Sequence, residues 1–204
     1  MLFIENQYLK EFTSKVVNHN LNKLILDQTA FYAKSGGQPG DTGQIFYNES
    51  SINIVDTIKD VDNNIVHITE NNHQFEKGIQ IQGKINWDKR YQYMRMHSAL
   101  HLLCSIIPLD VTGGQITYDK SRLDFNALNH KIEKEDIEYK INKLVKEDHK
   151  ITYQWITYDE LEAKPDLVRT MSVKPPNIKG KIRLVKIGDI DLQPCGGTHV
   201  KSTS

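Results

Sequence analysis

Two histidines four residues apart, in His97-Ser98-Ala99-Leu100-His101, are the first residues whose spacing could do chemistry. On a helix, positions i and i+4 lie on one face a turn apart, so both imidazoles can reach a single metal ion. No Glu follows His97, which separates the pair from the protease motif in which that Glu is the base. By itself the pair is better explained as two ordinary histidines. A second pair stands far downstream in Cys195-Gly196-Gly197-Thr198-His199, where a thiol and an imidazole flank two glycines that let a loop close around an ion. That pentapeptide, taken singly, reads as a glycine turn with a buried cysteine and a surface histidine. Together the two pairs offer three nitrogens and one sulfur, a donor set suited to Zn²⁺, so His97, His101, Cys195 and His199 are the expected metal ligands. The remaining cysteine, Cys104, stands among apolar neighbours three residues past His101 and is expected to pack in a core.

The chain that must position these groups has 204 residues, enough for one large domain or two small ones. Its 26 Lys and Arg balance 26 Asp and Glu, which excludes nucleic-acid binding through bulk charge and leaves only a local basic patch. Two cysteines cannot form a disulfide framework. No apolar run approaches a membrane span and the start MLFIENQYLK lacks a secretion signal, so a cytoplasmic protein with no membrane partner is expected.

Residues 1 to about 85 read as short strands separated by turns, at 12–17, 23–26, 44–47, 52–58, 65–69 and 79–85, with no helical period. Strands this short and this frequent curl into a small barrel or sandwich. Asp88 is the expected N-cap of a helix in which Tyr91, Met94, Ser98, His101, Leu102 and Ser105 recur at helical spacing until Pro108 stops it. A second helix fits 135–149, with Ile137, Ile141, Leu144 and Val145 as its apolar stripe. Strands at 122–125, 151–155 and 182–187 complete an α+β second half. The expected domains are 1–86 and 87–204.

HSALH followed much later by CGGTH resembles the editing domain of alanyl-tRNA synthetases and their free-standing relatives, the AlaX family. Asp27-Gln28-Thr29-Ala30-Phe31-Tyr32, leading into Ser35-Gly36-Gly37-Gln38-Pro39-Gly40-Asp41-Thr42-Gly43, is similar to the glycine-rich stretch of the β domain that precedes editing in these proteins. Threonyl-tRNA synthetases share the zinc motifs and lack that stretch. Val111-Thr112-Gly113-Gly114-Gln115-Ile116, Arg122-Leu123-Asp124-Phe125, Arg169-Thr170-Met171-Ser172-Val173-Lys174-Pro175-Pro176 and Asp191-Leu192-Gln193-Pro194 also resemble family segments, so the likeness covers nearly the whole chain.

The resemblance implies a small β-barrel followed by a helix-on-antiparallel-sheet editing domain, and a trans-editing enzyme. Its substrate would be tRNA(Ala) charged with the wrong amino acid, chiefly seryl-tRNA(Ala) and also glycyl-tRNA(Ala), with alanyl-tRNA(Ala) spared. Four protein ligands would close a tetrahedral zinc site, the mark of a structural ion, so no residue is assigned as the catalytic base. Telling serine from alanine means recognising one hydroxyl, and a buried polar partner left unpaired by alanine would do so. Thr112 first and Gln115 second, set among glycines, are the expected substrate-binding residues. Lys179, Lys181, Arg183 and Lys186 alternate along a strand and are expected to be solvated, with phosphate contact as the lesser reading. Relatives continue past CGGTH, whereas here Val200-Lys201-Ser202-Thr203-Ser204 closes the chain, so a cut chain or a reduced sheet edge is expected. Two alternatives stand beside the enzyme: a zinc-stabilised tRNA-binding module without hydrolytic activity, and a fragment of a longer alanyl-tRNA synthetase. The Met1 start and the separate β domain favour a free-standing protein.

Overall fold

The computed structural model describes residues 1–73, 75–127, 131–168, 177–178 and 180–204. The segment 169–176 and Lys179, both singled out above, lie outside the described residues. The chain divides into two compact units, Met1–Tyr93 and Met94–Ser204.

The first unit opens with one helical turn, α1 (Leu2–Glu5), too short to show a period in the sequence. Six strands follow: β1 (Glu11–Asn20), β2 (Lys23–Leu26), β3 (Gly43–Tyr47), β4 (Ser50–Lys59), β5 (Ile65–Thr69) and β6 (Gln80–Ile85). They close a barrel in the order β1-β2-β5-β4-β3-β6, each pair antiparallel. Alternation decides which residues fill it: Phe12 and Val16 of β1 and Ile81 and Ile85 of β6 point inward and meet Leu24, Phe31, Ile45 and Ile54. The expected strands are thus all present, β2 and β5 with the expected bounds.

The glycine-rich stretch has two separate uses. Gly36 and Gly37 take positive φ between Ser35 and Gln38, whose backbones exchange hydrogen bonds of 3.1 and 2.9 Å across a two-residue turn. Gly40 is a packing glycine, since a Cβ there would run into the Thr57 carbonyl. The next residue, Asp41, is buried and receives Arg90 through two nitrogens, Nε at 2.9 Å and Nη2. Arg90 also donates to the carbonyls of Gln7 at 3.1 Å and Ala30 at 2.7 Å, so its burial leaves a matched network.

Arg90 stands on α2 (Trp87–Ile106), which begins in the first unit and runs on into the second. Its cap is Asn86, whose Oδ1 accepts from the Lys89 amide at 3.2 Å, and the expected cap, Asp88, lies inside the first turn.

In the second unit β7 (Val111–Ile116) and β8 (Ser121–Phe125) form a hairpin. Then come α3 (Lys134–Lys146), β9 (Ile151–Ile156), α4 (Tyr158–Glu162), β10 (Asn177–Ile178), β11 (Lys181–Ile187) and β12 (Asp191–Pro194). The central strand is β11: Leu184 pairs with both Gln154 and Pro194, which puts β9 on one edge and β12 on the other. Ile182 and Leu184 face one side, where they pack with Leu161 of α4. Arg183, Val185 and Ile187 face the other, and their cross-strand partners make Asp191 and Gln193 share that side. The stripe of α3 is only half-buried and the helix ends three residues earlier than its sequence pattern, at a turn where Asp148 has φ of 54°. Among the described residues no helix is long and apolar enough to cross a membrane.

Candidate metal centre

His97 and His101 project from one face of α2, and Cys195 and His199 come from the loop that follows β12. All four are buried, and their ligand atoms lie within 4.8 Å of one another. Cys195 Sγ is 3.3 Å from His199 Nε2 and 3.5 Å from His97 Nε2. Tetrahedral coordination with bonds of about 2.0–2.3 Å places donor atoms roughly 3.3–3.8 Å apart, so these separations and this donor set fit Zn²⁺.

The surroundings fix the rings. His101 Nδ1 lies 2.9 Å from Asp191 Oδ2, and a carboxylate only accepts, so Nδ1 carries a proton and Nε2 is the nitrogen left for a metal. Gln193 Nε2 donates to the same oxygen at 2.9 Å. His199 Nδ1 is 3.2 Å from Ser98 Oγ, which also accepts the Val200 amide at 3.3 Å. The Gly197 amide donates to Cys195 Sγ at 3.3 Å, the tight loop closure for which glycine is suited.

Beneath the loop lies Arg183. It is 1% exposed, which overturns the expectation of a solvated or phosphate-touching residue. Its Nε donates to the Cys195 carbonyl at 3.0 Å and its Nη2 to the Gly197 carbonyl, so it holds the backbone that carries two of the four clustered side chains. Alternating charge along β11 gave no sign of this, because the interior face of the strand holds a basic residue.

Burial resists ionisation of Cys195, yet the imidazoles of His97 and His199 beside it hold the thiol well below its usual range. Burial, helped by His97, keeps His199 well below the ordinary imidazole value. For His101 burial also disfavours charge, but the Asp191 hydrogen bond and the Cys195 sulfur outweigh it and raise the ring to about 9. A thiolate and a neutral His199 are the forms that bind a cation, while His101 must give up a proton to join them.

The sequence likenesses of the chain can be set beside this geometry. Residues 3–89 match the family described as tRNA synthetases class II (A), and residues 182–204 match the threonyl and alanyl tRNA synthetase second additional domain. The alanine–tRNA ligase of Pyrococcus abyssi is 37% identical over 99% of this chain and 23% of its own length. The alanyl-tRNA editing protein AlaX-L of Pyrococcus horikoshii is 35% identical over 99% of this chain and 51% of its own length. The chain thus spans about a quarter of the ligase and about half of AlaX-L. The alanyl-tRNA editing protein AlaX-M of Methanosarcina acetivorans is 34% identical over the whole of this chain and 88% of its own length. The chain belongs to the AlaX family.

In this AlaX chain, Cys104 is buried on α2 and stands outside the four-residue cluster. Thr112 and Gln115 lie on β7, a strand that its paired glycines conceal in the sequence. A bulge between Val111 and Gly113 shifts the alternation, which lets Val111 and Ile116, five residues apart, both be buried while Thr112 and Gln115 are exposed. Asp191, Gln193, Ser98 and Arg183 are the residues that sequence reasoning missed. Ser98 lies inside HSALH and Asp191-Leu192-Gln193 stands just before CGGTH, but neither spacing says which polar atom will meet which ring.

Proposed function

We propose that this protein is an aminoacyl-tRNA deacylase acting in the cytoplasm. It hydrolyses the ester of tRNA(Ala) wrongly charged with serine, and in second place with glycine, and spares alanyl-tRNA(Ala). The observation that carries the reading is the buried convergence of His97, His101, Cys195 and His199, braced by Asp191 and Ser98, in a chain of the AlaX family. The names of the AlaX-L and AlaX-M relatives as alanyl-tRNA editing proteins support it. In this reading residues 1–86 are the glycine-motif barrel domain and residues 87–204 the editing domain.

Zn²⁺ held by the four side chains would supply polarisation of the ester carbonyl or a fixed point for the amino group of the substrate. The chain's own residues prepare that place. Asp191 holds the His101 ring with its proton on Nδ1, Ser98 fixes the plane of His199, and Arg183 ties down the carbonyls of Cys195 and Gly197. Thr112, and after it Gln115, both exposed on β7, would recognise the serine hydroxyl once bound substrate buries them. The burial of the four ligands excludes bulk water, so that electrostatic interactions there act at low dielectric.

Four protein ligands also favour a second reading, a tRNA-binding module in which a closed zinc site only holds the fold. One experiment separates the two: release of amino acid from seryl-, glycyl- and alanyl-tRNA(Ala) by protein of measured zinc content, with and without chelator. Selective, zinc-dependent release of serine is expected. Absence of release from every substrate by folded, zinc-loaded protein would replace the enzyme with the module.

A further inference from the structure

We propose that the barrel of the first unit carries a nucleotide-binding site at the end formed by the β1–β2 and β4–β5 turns. A cavity of about 560 Å³ opens there, within the range of small-ligand sites. Its floor is set by strand register. Asn18 pairs with Ile25, Ile25 with Val66 and Val66 with Ile58, so these four form one row across β1, β2, β5 and β4. The neighbouring row, with Leu24, His67 and Thr57, is buried in the barrel, which leaves Ile25, Val66 and Ile58 on the outer side. Val66 is only 4% exposed there, at the bottom of the cavity.

Around this aliphatic floor the lining is polar and cationic: His19, Asn20, Lys23 and Lys59 are all exposed. The carboxylate in the lining, Asp60, is committed to its own turn. Its Oδ1 accepts from the amides of Asp62 at 2.9 Å and Asn64 at 2.8 Å, and its Oδ2 from Asn64 Nδ2 at 3.0 Å. Asp60 keeps its charge and acts on Lys23, so the lining sets two ammonium groups against one carboxylate and is positive by one. Each part has a counterpart in a nucleotide: lysines for phosphate, the amides of Asn18 and Asn20 for base edges, and branched aliphatics for the face of a base. A chain with no net charge needs such a local patch to hold RNA at all. The shared ligand chemistry is a nucleoside phosphate, free or within an RNA strand, and the RNA form rests on the proposed reading of tRNA as substrate.

The test uses the full chain with uncharged tRNA(Ala) transcript, AMP and polyglutamate as probes. Lys23→Ala with Lys59→Ala is compared with Lys77→Ala with Lys89→Ala, which removes the same charge from exposed lysines outside the cavity. The first pair is expected to weaken tRNA binding about tenfold and to reduce the slope of log K against log salt by about 1.4–1.8, with the second pair near wild type. Amide NMR shifts at Asn18, Asn20 and Lys23 with AMP alone would identify a free-nucleotide site, and shifts with tRNA only would identify a strand site. No shifts with either probe, equal effects of the two double variants, or equal displacement by polyglutamate would overturn the proposal. Uncharged tRNA carries no ester, so a failure here is distinct from a failure of hydrolysis.

Discussion

Arg90 with Asp41 in the first unit, and His97, His101, Cys195 and His199 in the second, are both groups of buried polar side chains, and they differ in what they leave unmatched. The donors of Arg90 meet the Asp41 carboxylate and the carbonyls of Gln7 and Ala30, so the group closes on itself. In the second unit, atoms that bear lone pairs converge, with Cys195 Sγ 3.3 and 3.5 Å from two imidazole nitrogens. A closed donor–acceptor network holds a fold, whereas converging lone pairs are arranged for a cation. Arg183 stands between the two: it is buried like Arg90 and spends Nε and Nη2 on the loop that carries Cys195, while its Nη1 has no hydrogen-bond partner among the described residues.

Removing one member from each group tests this contrast most strongly. Cys195→Ala is expected to lower bound zinc from about one ion per chain to none and to reduce deacylation by on the order of a hundredfold or more, by metal analysis and serine release. Full deacylation by that variant would remove the metal centre from the mechanism. Asp41→Ala leaves a buried guanidinium without its carboxylate and should cost about 3–5 kcal/mol in urea unfolding, while zinc content per folded chain stays at wild type. A loss below about 1 kcal/mol would mean that the pair is not what holds the glycine-rich stretch.

The third expectation sharpens the barrel side. Burial holds His67 at about 4, against an unfolded value of 6.5, despite a 3.0 Å contact from its Nδ1 to the Leu24 carbonyl. As pH falls through 6.5 the unfolded chain takes up a proton that the folded chain refuses, so stability drops until about pH 4 and then levels. The loss is of order 3 kcal/mol. Denaturation midpoints at pH 7 and pH 4.5 should show it for wild type and show much less of it for His67→Gln. The smallest effect is expected from Asp191→Ala, which unclamps His101 and should weaken zinc binding about 10- to 100-fold in a competition titration with a chromogenic chelator. Unchanged affinity would leave the Asp191 contact without a role in the centre.

Much of the barrel was legible because each strand needs one inward face, and period-two alternation in 11–16 or 80–85 writes that need directly into the chain. β7 was not, since Gly113 and Gly114 erase the pattern and the bulge beside Thr112 shifts what remains. The helix 158–162 has a local signal in the chain: Thr157 and Glu160 form a capping box, with Thr157 Oγ1 accepting the Glu160 amide at 3.2 Å. Asn86 displaced Asp88 as the cap of α2 because both are good cap residues and only the path of the chain chooses between them.

For the candidate metal centre, the two pairs that converge could be read from the chain: HxxxH is fixed by helical pitch and CGGTH by what a glycine loop permits, and both are local constraints. What surrounds them follows from the packing of distant segments. Asp191 reaches His101 across 90 positions of chain, Ser98 reaches His199 across 101, and Arg183 faces inward because β11 is central and buried on both sides. Pairings over such separations depend on which strands become neighbours and which face each turns to the helix, and no local spacing in the sequence encodes that.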